Sequence, residues 1–198
     1  LQIFVITIVL SLPLGILMAV GRISKIAILR KTMYAYIYVM RGTPLMLQIL
    51  FIYYGLPFII DGFTLPAFPA AIIAFVFNYA AYFAEIFRGG IQSIDRGQYE
   101  GAKVLGMTYI QTMRRIILPQ VIRIILPPIS NETITLVKDT SLVYVLAMND
   151  LMRTARNLVQ RDFSITPFIV AAVFYLLATL ILTLVFERLE KRFSRYDQ

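Results

Sequence analysis

YEGAKVLGMTYIQTMRRIILPQ, residues 99–120, separates two stretches apolar enough to cross a bilayer. It carries Glu100, Lys103, Arg114 and Arg115, a central Gly106, and Pro119 near its end. Apolar residues still recur in it at helical spacing. Tyr99, Ala102, Val104 and Leu105 can share one broad stripe, with Glu100 and Lys103 away from it. Gly106 supplies the left-handed position that ends a short helix. Thr108, with Gln111 three residues on, is a capping box that starts another. The pattern predicts a helix, a sharp turn and a second helix, an exposed knob at a fixed angle to the membrane. The plainer alternative is an amphipathic loop lying on the headgroups.

The rest of the chain explains why a membrane is at issue. Of 198 residues, 59% are hydrophobic and 15% charged, and the mean hydropathy is +0.76. Soluble domains are about 45–50% apolar and about 25% charged. Residues 1–20 contain no charge and match the ~20 residues that a bilayer core demands. They lack the basic start and small-residue cleavage site of a signal peptide. Because the chain opens mid-helix without methionine, the first span is expected to be truncated. Cysteine and histidine are both missing from the sequence, which excludes disulfides, thiolate chemistry and the commonest metal ligand.

Basic residues then set the orientation. Arg22, Lys25, Arg30 and Lys31 follow the first span without an acid among them, which marks the cytoplasmic side. The segment KIAILRKTMYAYIYVM reads as a helix partly in the interface, its tyrosines suited to headgroup depth. Thr43-Pro44 is a cap followed by a first-turn proline and opens a second span, and Arg41 before it is expected to snorkel to the interface. The reading gives one transmembrane domain, residues 1–198, with spans at about 1–20, 43–60, 66–87, 119–142 and 166–186. Segment 93–118 and the C-terminal tail are placed in the cytoplasm, and residues 149–165 form a polar outer loop. Arg153, Arg156 and Arg161 in that loop are an exception to the charge rule. This distribution of the +8 net charge argues for topology and against nucleic-acid binding.

Ionisable groups inside a bilayer are expensive and usually face a cavity or a partner. Asn78, Tyr82 and Glu85 fall at i, i+4 and i+7 and share a face. Glu85 lies three residues from Arg88, which predicts an ion pair. Glu132, Thr135 and Asp139 form a second stripe, with Asn131 and Lys138 beside it. Glu132 sits near mid-membrane with no base within a turn, so it is protonated, pairs with another helix or lines a path for a cationic group. For Asn78 and Tyr82, helix–helix glue and pathway are both open. Pro127-Pro128 removes backbone donors and should bend the fourth helix.

The segment Glu100-Gly101-Ala102, Gly106 and Ile116-x-Leu118-Pro119 resembles the EAA motif of bacterial ABC importer permeases, with Gly101 where the family usually has alanine. Arg41-Gly42-Thr43-Pro44-Leu45, Asn78-Tyr79-Ala80-Ala81-Tyr82 with Glu85-Ile86-Phe87-Arg88, and Lys138-Asp139-Thr140-Ser141-Leu142 are similar to motifs of the polar amino-acid uptake branch (histidine, arginine and glutamine permeases). That branch often has Glu at the place of Asp139 and Ser at that of Thr140. The resemblance implies an all-α, five-span bundle of the type I (MetI-like) kind in the bacterial inner membrane. It also implies that Glu100, Gly101, Ala102, Gly106, Leu118 and Pro119 form the coupling segment to an ATPase. Glu132, Asn131, Thr135, Asn78, Tyr82 and Asp139 are the candidate substrate path. The implied partners are a second permease subunit, identical or similar, two ATPase subunits that bind ATP and Mg, an extracytoplasmic solute-binding protein, and an amino-acid substrate. No G-x-x-x-x-G-K-[ST] string occurs, so a phosphate-cradling loop and ATP hydrolysis belong to another chain. The rival functions are an ATP-independent secondary transporter or channel subunit, which would predict inverted repeats, and a non-transporting membrane scaffold.

Overall fold

A computed structural model describes residues 1–194 of the chain; the last four residues of the expected cytoplasmic tail, 195–198, lie outside the described residues. All regular structure among the described residues is helical. Helix α1 (Gln2–Arg22) leads to α2 (Ala27–Gly42), and then α3 (Leu45–Leu50), a π-helical stretch (Phe51–Gly55) and α4 (Leu56–Ile59) follow one another. Long α5 (Ala67–Gln92) precedes the short α6 (Arg96–Val104) and α7 (Tyr109–Thr112), and a π-helical turn (Met113–Ile117) joins α7 to α8 (Leu118–Asp139). A 3₁₀ stretch (Thr140–Leu146), α9 (Leu151–Asp162) and α10 (Thr166–Ser194) complete the fold.

The core is built on α5, and α1 packs closely along it. Thr7, Ser11, Gly15 and Ala19 recur every four residues on α1 and are all buried, facing the alanine-rich side of α5. A Cβ at Gly15 would lie 2.8 Å from the Phe83 Cβ and 3.1 Å from the Ala80 carbonyl oxygen, so the two backbones meet at a distance that only glycine permits. Small residues are what let helices approach where lipid removes any hydrophobic drive to pair. Helix α10 shows the opposite pattern. Ile169, Phe174, Leu176, Leu177 and Ile181 are all exposed, as expected of a face that meets acyl chains.

Among the described residues, three helices are long and apolar enough to cross a membrane: Gln2–Ile23, Ala67–Gln92 and Thr166–Phe193. A fourth is added if Ala27–Gly42 and Leu45–Ile59, bent by 105° at their junction, count as one broken span. The expected five are therefore not clearly reached. Helix α8 has the length, at 22 residues, but carries Arg123, Glu132, Lys138, Asp139 and three prolines, which lower its apolarity. The second span also differs from expectation. Thr43 does not cap α3; its hydroxyl donates back to the Val39 carbonyl at 2.8 Å, and Pro44 holds the cap position without a side-chain bond. The Asn78 amide, near the middle of α5, donates to the Met40 carbonyl at 2.9 Å and to the Gln48 side-chain oxygen at 3.0 Å. The break thus lies beside the centre of α5 rather than at its end.

The polar loop expected at 149–165 is mostly helix. Asp150 caps α9 by accepting from the Arg153 and Met152 amides at 2.9 and 3.3 Å, and Ala155 turns inward.

Candidate functional site: a polar cavity and an exposed knob

A cavity of about 640 Å³ opens where the α2–α3 break meets α5 and α8. Helix α5 contributes Asn78, Tyr79 and Tyr82, and α8 contributes Glu132, Thr135 and Asp139. The spacings 78/82 and 132/135/139 keep each set on one helical face. The break adds Arg41 and the backbone from Gly42 to Met46. Asn131, expected here, is exposed and does not line the cavity; one step along the helix turns it about 100° from Glu132.

The lining residues differ in how far they are already committed. Asn78 is buried, and its amide group holds Met40 and Gln48. Gln48 in turn donates to the Met40 carbonyl at 2.9 Å and to the Thr43 hydroxyl at 2.8 Å. These bonds satisfy carbonyls freed by the 105° break, so the side-chain donors of Asn78 serve to hold the fold. The Tyr79 hydroxyl donates to Asp139 Oδ2 at 2.7 Å, with Tyr79 itself 2% exposed. That bond fixes one carboxylate oxygen and leaves the other the capacity to accept. Glu132, Thr135 and Tyr82 are half-buried. Two carboxylates, hydroxyl groups and a guanidinium therefore share a small, partly buried volume, an arrangement suited to a zwitterion or a cation. Among the described residues no group of three or more metal-type ligands is assembled.

Below the cavity along α5, Glu85 gathers three arginines. Arg88 donates to it through Nε at 3.0 Å and through Nη2 at 2.6 Å, which is the ion pair the i+3 spacing predicted. Arg22 and Arg41 approach to 3.9 and 4.0 Å. Arg41 does more than snorkel, because its guanidinium carbon lies 5.2 Å from the centre of the Tyr82 ring. Sequence reasoning missed Arg41 and Tyr79 as lining residues. Tyr79 adjoins Asn78, which it did select, and Arg41 was assigned to the interface; the orientation of both depends on contacts between helices.

The knob follows the local signals closely. The reversal after α6 turns at Gly106, whose φ is +70°, and the Met107 and Gly106 amides bond back to Ala102 and Lys103, each at 3.0 Å. This is a glycine-ended reversal of the Schellman type. The Thr108–Gln111 capping box is formed in both directions. One expectation divides. Ala102 is buried and Tyr99 packs on the core, but Val104 and Leu105 point outward, 87% and 77% exposed. Tyr109 and Ile110 project beside them at 73% and 75%. Burial raises the Tyr99 phenol above its ordinary value, and Tyr109 across the turn adds to the effect. Glu100 and Gly101 lie on the exposed side, and Leu118 and Pro119 start α8.

A family of proteins described as "Binding-protein-dependent transport system inner membrane component" matches residues 11–195. The chain is 40% identical to a probable amino-acid ABC transporter permease protein, YckA, of Bacillus subtilis (strain 168), over 92% of this chain and 80% of that protein. It is 38% identical to the arginine transport system permease protein ArtQ of the same organism, over 100% of this chain and 90% of that protein. With the glutamine transport system permease protein GlnP of Escherichia coli (strain K12) it shares 36% over 92% and 84%. Among solved structures, a chain of an amino acid ABC transporter with histidines superposes with a TM-score of 0.89 at 36% identity, covering 96% of this chain and 89% of that one. A chain of the inward-facing methionine ABC transporter MetNI superposes at 0.76 with 20% identity, over 98% and 91%, which shows a shared fold.

Proposed function

This chain belongs to the family of binding-protein-dependent transport system inner membrane components, in the polar amino-acid uptake branch of bacterial ABC importer permeases, and from that premise we propose how it works. It is a multi-pass inner-membrane protein and the transmembrane permease component of an ABC-type amino-acid importer. The proposal is that α6 and α7 couple it to an ATPase and that the polar cavity carries the substrate.

The observation that carries the coupling role is the knob. Val104, Leu105, Tyr109 and Ile110 form an apolar tip, exposed on a segment with an arginine pair behind it. Exposed apolar clusters of this kind mark surfaces that meet another protein. Gly106 and the capping box hold the tip rigidly, so a push on it moves α8 as a unit. Glu100, Gly101, Ala102, Gly106, Leu118 and Pro119 make up this coupling element, and the ATPase supplies ATP hydrolysis. In the full topology α8 and the broken α2–α4 segment both cross, giving five spans in one domain with 93–118 in the cytoplasm. Two permease subunits, two ATPases and an extracytoplasmic binding protein complete the importer. ATP binding closes the motor, the knobs move inward and the cavity turns outward, shifting one population at the expense of the other.

Glu132 and Asp139 are the proposed partners of the substrate's ammonium group, with Thr135 and Tyr82 beside them and Asn78 holding the wall. A polar amino acid fits the cavity, which lies within the roughly 300–1,000 Å³ typical of small-molecule sites. The cysteine-free chain permits a clean test. A thiol crosslinker on Leu105→Cys should join the permease to the ATPase subunit in the purified complex. Labelling of position 105 by an impermeant thiol reagent added outside intact cells would contradict the reading.

A further inference from the structure

The two acids of the cavity account for a positive group on the substrate and leave its other end without a partner. Every free amino acid also carries an α-carboxylate, and burying that charge unpaired is far more costly than burying it beside a cation. Among the described residues that line the cavity, Arg41 is the one base.

Its surroundings show a guanidinium that is placed but not spent. Arg41 stands in the last turn of α2, where the helix dipole favours a cation, and its guanidinium carbon lies 5.2 Å from the centre of the Tyr82 ring. Its ion pair with Glu85 spans 4.0 Å, which is beyond hydrogen-bonding distance. Glu85 does not need it, since Arg88 already supplies bonds at 2.6 and 3.0 Å and Arg22 stands at 3.9 Å. Neither contact occupies the N–H fork of Arg41, and its side chain is 44% exposed. A structural ion pair would be expected to close to contact distance.

We propose that Arg41 binds the α-carboxylate of the incoming amino acid, while Glu132 and Asp139 take its ammonium. The guanidinium fork matches a carboxylate in two parallel bonds, so the site selects amino acids over amines of the same side chain. Arg41 thus sets specificity for the zwitterionic end, whichever side chain follows. The inference rests on the reading of the cavity as the substrate path.

The test uses the purified permease–ATPase complex in nanodiscs without the solute-binding protein, so that selectivity belongs to the cavity. Equilibrium binding is measured for L-arginine against agmatine, its decarboxylated counterpart, and for L-glutamine against 4-aminobutanamide, its own. Wild type should prefer each acid by about 10- to 100-fold, the span of a lost charge-assisted pair. Arg41→Gln should shrink that preference to about threefold or less by weakening the acid alone, and Arg41→Lys should fall between, because a point charge cannot reproduce the fork. If Arg41→Gln and Arg41→Lys, at wild-type melting temperature, keep the full preference, the carboxylate is held elsewhere and the inference fails while the cavity reading survives. If Glu85→Gln abolishes the preference as fully as Arg41→Gln does, Arg41 acts only through Glu85 and the inference also fails. Wild type binding none of the four probes would overturn the cavity reading and this inference together.

Discussion

Replacing Gly106 by valine isolates what the turn of the knob contributes. Gly106 has a φ of +70°, and a Cβ built there meets no atom of the described residues within 4 Å. The substitution therefore adds no clash, and its whole cost is conformational. A left-handed position costs an ordinary L-residue roughly 1–2 kcal/mol, and strained backbone sites run to about 3 kcal/mol, with a β-branched residue toward the upper end. A 2 kcal/mol penalty changes the ratio of correctly turned to misturned knobs by about 30-fold. The spans do not share the strain, because the backbone bonds of the reversal run from Leu105, Gly106 and Met107 to Gly101, Lys103 and Ala102. In proteoliposomes carrying the full importer, Gly106→Val should lower uptake and substrate-stimulated ATP hydrolysis together, with little change in melting temperature. Gly106→Asn, which tolerates the left-handed region, should retain most of both. Normal stimulation in a well-folded Gly106→Val complex would refute the reasoning. So would an Asn variant as impaired as valine, since that would mean the position senses contact rather than backbone angle.

Three further outcomes follow from the same geometry. Glu132→Gln keeps shape but removes charge, so uptake of arginine should weaken by about 1.5–3 kcal/mol and uptake of glutamine by less, at unchanged melting temperature; equal loss for both substrates with lower stability would assign Glu132 to helix pairing. Gly90→Val should destabilise the crossing of α5 and α8, because a Cβ there overlaps Ile125 Cγ2 and touches Val121; overpacking of this kind costs about 1–3 kcal/mol, and an unaltered melting temperature would contradict it. Gly101→Ala meets nothing within 4 Å and should firm α6 by about 1 kcal/mol, read as slower amide exchange across residues 96–104 with coupling preserved.

How much of this was legible in the sequence depended on whether the signal was local. Gly106, Thr108 and Gln111 state their conformations within four residues, and the knob could be read from them almost bond by bond. The same stretch could not say which apolar residues face the bundle. Val104 and Leu105 carry the helical period as well as Ala102 does, and only the position of α5 and α8 separates inward from outward. Thr43-Pro44 announced a break but not its depth, because a helix start reads alike at the interface and beside the middle of α5. In α9, three arginines hid a helix whose cap, Asp150, and apolar positions at Leu151, Ala155 and Leu158 were present throughout. Periodicity brought Asn78 with Tyr82 and Glu132 with Thr135 and Asp139 to their faces. Tyr79 and Arg41 escaped it, since Tyr79 meets Asp139 from another helix and Arg41 is aimed by the bend.

The central claim is that ATP hydrolysis in a partner subunit, transmitted through the α6–α7 knob, drives an amino acid through this chain. Uptake into proteoliposomes containing the permease, its ATPase and the solute-binding protein tests it most directly. With ionophores collapsing all ion gradients, accumulation of radiolabelled L-arginine or L-glutamine should persist with enclosed ATP and stop without it. Accumulation that follows an imposed ion gradient and ignores ATP would contradict the account.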